Sequence, residues 1–140
     1  MTPGPLPRLA MLALVAAAGG PDGIAPPPPP AVLVIDGNTL EIDGRRMLLW
    51  GINAPNPATA VGWQAKLLLS MVASEGPPSC TVKRLDPALW QCRSARGSDI
   101  GSLMVQTGLA YAAGPYYQHE QDLARLAGYG LWRPNDGRDR

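Results

Sequence analysis

Pro26–Pro30 is an unbroken run of five prolines, and it divides the chain. Proline has no backbone N–H and a fixed φ, so neither a helix interior nor a sheet ladder passes through such a run. It reads as a stiff polyproline II spacer. Of the 140 residues, about 110 follow it, enough for one small domain and not for two. Those residues carry 11 basic and 10 acidic side chains. So even a balance lacks the strong positive field of proteins that coat nucleic acid, yet leaves room for a local basic site. An apolar content of 46% is enough to fill a core.

Residues 1–20 read as a secretory signal peptide. Arg8 precedes the ten-residue apolar run Leu9–Ala18, and small residues follow through Gly19. The run is too short for a bilayer crossing, which needs ~20 residues. An amphipathic N-terminal helix is the alternative. Residues 21–30 form the Pro-rich linker, 31–133 the domain and 134–140 a polar tail. The mature chain is expected to be exported, periplasmic or secreted, with no membrane span.

The two cysteines fit export. Taking Cys80–Leu85 and Ala88–Arg93 as a hairpin turning at Asp86-Pro87 pairs Arg84 with Ala88, Val82 with Trp90 and Cys80 with Cys92. Directly opposite residues have Cβ atoms ~5 Å apart, within reach of a disulfide. Closing that loop stabilises by roughly 3 kcal/mol in the chain-entropy model. The alternatives are a reduced pair or half of a zinc site, which needs two further ligands where the chain has one histidine and no other cysteine.

The remaining elements follow from periodicity. Ala31–Ile35 is a β-branched apolar run and predicts a buried strand. Asn38–Ile42 alternates, Asp43-Gly44 is a hairpin turn, and Arg45–Ile52 returns as the partner strand. Trp63–Glu75 is predicted helical, with Trp63, Leu67, Leu68, Met71 and Val72 as its apolar stripe, and Gly76-Pro77-Pro78 stops it. Asp99 caps a helix over Ile100–Thr107, with Gly108 as the left-handed residue beyond it. A last helix covers Tyr116–Leu126 and ends at Gly128 and Gly130. This order is compatible with a small closed β-barrel plus helices, an α+β fold.

Four blocks carry a family resemblance. Val34-Ile35-Asp36-Gly37-Asn38-Thr39-Leu40 resembles the first motif of the staphylococcal nuclease-like (thermonuclease) family. Met47-Leu48-Leu49-Trp50-Gly51-Ile52-Asn53-Ala54-Pro55-Asn56 resembles its second. Asp99-Ile100-Gly101 through Gly108-Leu109-Ala110 is similar to a later helix. Tyr117, Glu120, Ala124-Arg125 and Gly130-Leu131-Trp132 resemble the closing helix and its ending. The resemblance covers about residues 31–133 and implies a five-stranded oligonucleotide-binding-type barrel with three helices.

Active members of that family are calcium-dependent phosphodiesterases acting on DNA and RNA. Carboxylates hold the hard cation, a glutamate activates water, and two arginines neutralise charge growing on the phosphoryl oxygens. Carried over residue by residue, the metal positions are Asp36, Asn38 and Asn53. The first arginine position is Leu48 and the general-base position is Asn56. The second arginine falls near Pro87. The backbone-forming residues Gly37, Thr39, Gly51, Ile52, Ala54 and Pro55 are kept. An amide oxygen can ligate calcium but supplies no charge, so the resemblance implies a degenerate metal site and no catalytic residue. No cofactor is expected, or calcium if the site works after all.

Other residues are candidate ligand contacts or plain surface. Arg46 lies two positions before Leu48 and shares its strand face. Lys83, Arg84 and Trp90 form a basic-aromatic group that could stack a base, though Trp90 opposite Val82 also suits a hydrophobic face. Arg93 and Arg96 lie past the hairpin and could reach a barrel surface. The lone His119, after Tyr116-Tyr117, is either a solvated surface residue or the centre of a rearranged, metal-free phosphodiesterase site. Tyr116, Tyr117 and Tyr129 suit either a contact surface or packing of the last helix. The leading expectation is an exported, non-catalytic binding or structural domain, with nucleic acid or another exported protein as partner. The alternative is an active calcium-dependent secreted nuclease.

Overall fold

The computed structural model describes residues 25–85 and 88–134, with isolated positions 4 and 23. The expected signal run Leu9–Ala18, the Asp86-Pro87 turn and positions 135–140 of the tail lie outside the described residues. Pro26–Pro30 is exposed and belongs to no helix or strand.

The chain is α+β, with a five-stranded mixed sheet and three helices. β1 (Val32–Asp36), β2 (Thr39–Ile42) and β3 (Arg45–Leu49) form an antiparallel meander. β5 (Ser79–Leu85) and β6 (Ala88–Arg93) form the hairpin, and β6 joins β3 in parallel. The order is therefore β1-β2-β3-β6-β5. Among the described residues no ladder joins β5 to β1, so the sheet is open rather than closed into the expected barrel. Instead α1 (Ala60–Ser74) lies against β1. Leu40, Leu49, Leu69, Ile100, Met104 and Val105 are buried between sheet and helices.

The predicted strand Arg45–Ile52 is broken. β3 stops at Leu49, and Gly51 turns the chain at φ +80. β4 (Ile52–Asn53) then leaves the main sheet and pairs with β7 (Tyr111–Ala112). A left-handed φ of that size is open to glycine without steric cost, so Gly51 is where the strand can break.

α1 starts one turn before Trp63 because Thr59 caps it, its hydroxyl accepting from the Gly62 N–H at 3.1 Å. The buried face also differs from the expected stripe. Trp63, Leu67 and Met71 are 52%, 44% and 66% exposed, whereas Gly62, Ala65, Leu69 and Val72 are buried. Small residues win this face because they let the helix approach the first turn of the sheet. A Cβ on Gly37 would sit 2.6 Å from the Ala65 Cβ.

Cys80 and Cys92 are disulfide-bonded across the hairpin, with Cα atoms 4.1 Å apart. Cys80 faces Cys92 and Val82 faces Trp90, as the mirrored spacing predicts. Past Val82 a bulge shifts the register, so Arg84 faces Leu89 and Leu85 faces Ala88, not Arg84 with Ala88. An extra residue on one strand does this without disturbing the pairs before it.

α2 (Ile100–Gln106) is capped by Asp99, and Gly108 follows at φ +72. α3 (Gln118–Ala127) starts later than Tyr116, because Tyr117 itself takes a left-handed φ of 60. A 3-10 turn over Gly130–Trp132 closes the described chain. Among the described residues no helix is long and apolar enough to cross a membrane.

Candidate functional site

The two motif loops meet at one end of the sheet. A Cβ on Gly37 would lie 2.9 Å from the Ala54 Cβ as well as against Ala65, so the loop of Asp36 and Asn38 rests on that of Asn53. The Leu49 N–H donates to the Asn38 carbonyl at 2.8 Å and ties the first turn to β3.

Three of the polar side chains at this end are spent on local hydrogen bonds, those of Asp36 and Asn56 to backbone and that of Asn38 to a neighbouring hydroxyl. Asp36 Oδ1 accepts from the Asn38 N–H at 2.9 Å. Asn38 Oδ1 accepts from the Thr39 hydroxyl at 3.1 Å. Asn56 Oδ1 accepts from the Ala58 N–H at 2.9 Å, and its carbonyl accepts the Thr59 hydroxyl at 2.6 Å. Asn56 thus shapes the entry to α1. Asn53 is exposed on β4, and Leu48 is half-buried between Thr39 and Leu89.

This donor set does not fit calcium. The ion takes six to eight oxygens and draws most of its affinity from carboxylates. Here one carboxylate stands among three amides, and Asp36, Asn38 and Asn56 each already have a side-chain oxygen in a local hydrogen bond. Among the described residues no group of three or more His, Cys, Asp or Glu side chains converges as a metal site.

A different constellation occupies the neighbouring cleft of about 340 Å³, whose lining includes Trp50, Gly51, Asn53, Leu89, Pro115 and Tyr116. The Trp50 and Tyr116 ring centroids are 4.0 Å apart with planes tilted 48°. Lys83 Nζ stands 5.4 Å from the Trp50 ring centroid. Such contacts hold a cation beside an aromatic face. Among the described residues the lining has no acidic side chain.

Tyr117 props this arrangement from below. Its hydroxyl donates to the Asp99 carboxylate, at 3.0 Å from Oδ1 and 2.9 Å from Oδ2. Gln91 Nε2 donates to the same carboxylate at 2.8 Å. Burial, then the hydrogen bond and charge of Asp99, push the Tyr117 hydroxyl pKa well above the ordinary tyrosine value. A Cβ on Gly51 would meet the Tyr117 ring at 2.7 Å, and one on Gly101 its hydroxyl at 3.0 Å. Both positions leave room for that ring. Tyr117 is therefore a packing residue, and Tyr116 and Tyr129 are the exposed tyrosines of the three expected at a contact surface.

The other sequence candidates separate. Arg46 is exposed and pairs with Glu41 at 4.0 Å, a surface contact of small energetic weight. Arg45, which the sequence does not single out, stands 5.8 Å from the Trp90 ring centroid. Trp90 is half-buried against the core, with its indole nitrogen unpartnered. Arg84 is described by its backbone alone, opposite Leu89. Arg93 donates to the Gly97 carbonyl at 3.1 Å, Arg96 pairs with Glu75 at 3.2 Å, and His119 is exposed on α3. Lys83 and Tyr116 are already candidates in the sequence, but Trp50 is not singled out there, and the meeting of the three escapes sequence reasoning because separate segments supply it. No family model matches the chain, and no curated protein matches it.

Proposed function

We propose that this is an exported, non-catalytic domain of the staphylococcal nuclease-like kind that binds short single-stranded nucleic acid weakly. The oligonucleotide-binding-type fold is part of the proposal. Its support is a five-stranded mixed sheet of non-sequential order, with β6 and not β5 beside β3, as in a partly open Greek key. The disulfide is compatible with export.

One observation carries the binding reading. Trp50 and Tyr116 line a cleft that has no carboxylate among its described lining residues, Lys83 stands over the Trp50 ring, and Asn53 on the same lining stands in place of an acid. A base stacks on the rings and a phosphate meets the lysine. Catalysis lacks its parts there: no water-activating carboxylate at Asn56, no arginine at Leu48, no charged cage for a cation.

The test uses the purified chain with its disulfide intact. Labelled single-stranded DNA and RNA oligonucleotides are incubated with calcium or with a chelator, and binding is followed by tryptophan fluorescence over a salt series. Uncut oligonucleotides and binding that weakens steeply with salt are expected. Removing the stacking face in Trp50→Ala should weaken binding roughly tenfold or more, from ~1–3 kcal/mol per stacked base. Chelator-sensitive cleavage would establish the active-nuclease alternative. Affinity indifferent to ionic strength would exclude nucleic acid and leave a protein partner.

A further inference from the structure

A second groove, of about 900 Å³, shares no lining residue with the Trp50 cleft. Its size falls within the range of small-molecule sites. One wall is the first turn of α1 at Ala60 and Val61, and the other is Leu109, Tyr111 and Tyr129. The far wall is braced from behind. Tyr111 packs edge-on against Trp132 with centroids 5.6 Å apart, and Arg125 stands 5.0 Å from the centroid of that same tryptophan. The Leu131 N–H donates to the Gly108 carbonyl at 2.8 Å, and the Tyr129 N–H to the Ala124 carbonyl at 3.1 Å. The groove is therefore preformed, and a ligand entering it orders little new structure.

Its charge is one-sided. Among the described residues Arg133 is the one lining side chain of formal charge, and no acid lines the groove with it. The remaining polar groups are hydroxyls and the Gln64 amide. An apolar body fits between the α1 turn and the tyrosines, and one anionic group complements Arg133. We propose that this groove is a separate binding site for a small molecule with an apolar chain or ring body and a single carboxylate or sulfonate group. It is independent of the nucleic-acid reading and survives its failure.

The experiment pairs two fluorescent probes of like shape on the full chain: anionic 8-anilinonaphthalene-1-sulfonate and neutral N-phenyl-1-naphthylamine. The anionic probe is expected to bind once per chain, about fivefold or more tighter than the neutral one. Arg133→Gln should abolish that preference while Arg133→Lys keeps part of it. Ala60→Trp, which fills the groove from the exposed first turn of α1, should weaken both probes about tenfold. Dodecanoate should displace the anionic probe and dodecanol should do so less well. Melting curves of each variant establish that the fold is kept. Equal affinity for the two probes would overturn the proposal. So would a preference untouched by Arg133→Gln, or binding that survives Ala60→Trp and vanishes in Trp50→Phe.

Discussion

Tyr117 shows how one side chain sets the geometry around it. Its left-handed backbone is costly for a residue with a Cβ, and the surroundings over-determine it. Gly51 and Gly101 make room for the ring, and Asp99 holds the hydroxyl. The same contacts link stability to pH. Ordinary tyrosines lose their proton near pH 10. In the folded chain, burial and Asp99 hold the Tyr117 proton to higher pH. Above pH ~10 the unfolded state therefore binds fewer protons than the native one, and stability falls as pH rises. Below that value the contribution is complete. Urea midpoints between about pH 8 and 11 should decline for the parent, and Tyr117→Phe should lose part of the slope. At neutral pH the variant should be about 1–2 kcal/mol less stable, since Asp99 loses a donor. An unchanged slope would deny Tyr117 this role. Asp99 also shows where reading the sequence stops. Its cap on α2 is legible from Asp99-Ile100 and Gly108, but its bond to Tyr117 joins residues 18 apart, and only the packing of α2 against α3 brings them together.

Among the elements, the β5–β6 hairpin was the most legible. Two cysteines at mirrored spacing with period-2 alternation fix its register as far as Val82. The bulge beyond was illegible, because a single inserted residue leaves no composition signal. Periodicity likewise identified α1 but not its buried face. Hydrophobicity favours Trp63, Leu67 and Met71, whereas close approach to Gly37 favours Gly62 and Ala65. Contact distance decided the orientation, and that distance belongs to the tertiary structure. The hairpin also carries the clearest element-level prediction. β5 is an edge strand whose one hydrogen-bonded neighbour is β6, so the Cys80–Cys92 bridge ties the edge to the sheet. Cys92 is buried and belongs to the core, so reduction loosens packing as well as the loop. Losing the bridge should cost roughly 3 kcal/mol. For a domain of this size that lowers Tm by roughly 10 °C or more. Calorimetry with and without a phosphine reductant checks this, with a Cys80→Ala/Cys92→Ala double variant expected to match the reduced chain. Equal melting in both conditions would mean that the edge is held by its ladder and core contacts alone.

At the scale of the whole molecule, the sheet and helices bring both motif loops to one end, yet of the four polar groups they deliver only Asp36 carries charge. The backbone pattern of Gly37, Gly51, Ala54 and Pro55 was readable as a folding instruction. It positions turns whatever the neighbouring side chains do. The openness of the sheet was not readable, because closure depends on whether β1 meets β5 or a helix, and α1 lies on β1 instead. Nor was the meeting of Trp50, Tyr116 and Lys83, which needs the end of β3, β5 and the segment before α3 in one place. Calcium tests what this end of the molecule can do. A ligand that binds the native state alone raises stability in proportion to the logarithm of its concentration over Kd. Asp36 as the one carboxylate beside Asn38, Asn53 and Asn56 gives a Kd weaker than the about 10⁻³ M of low-affinity calcium modules. Adding about 2 mM calcium should therefore move Tm by less than about 1 °C, and a chelator should leave it unmoved. The triple variant Asn38→Asp, Asn53→Asp, Asn56→Glu supplies the missing charge. Three added carboxylates repel one another in metal-free buffer, so its Tm there should fall below the parent's. Calcium should restore several degrees of that loss, and a chelator should reverse the gain. A parent chain that gains several degrees with calcium would show that amide oxygens suffice for the cage. A triple variant indifferent to calcium would show that the two loops do not hold these positions close enough to share an ion.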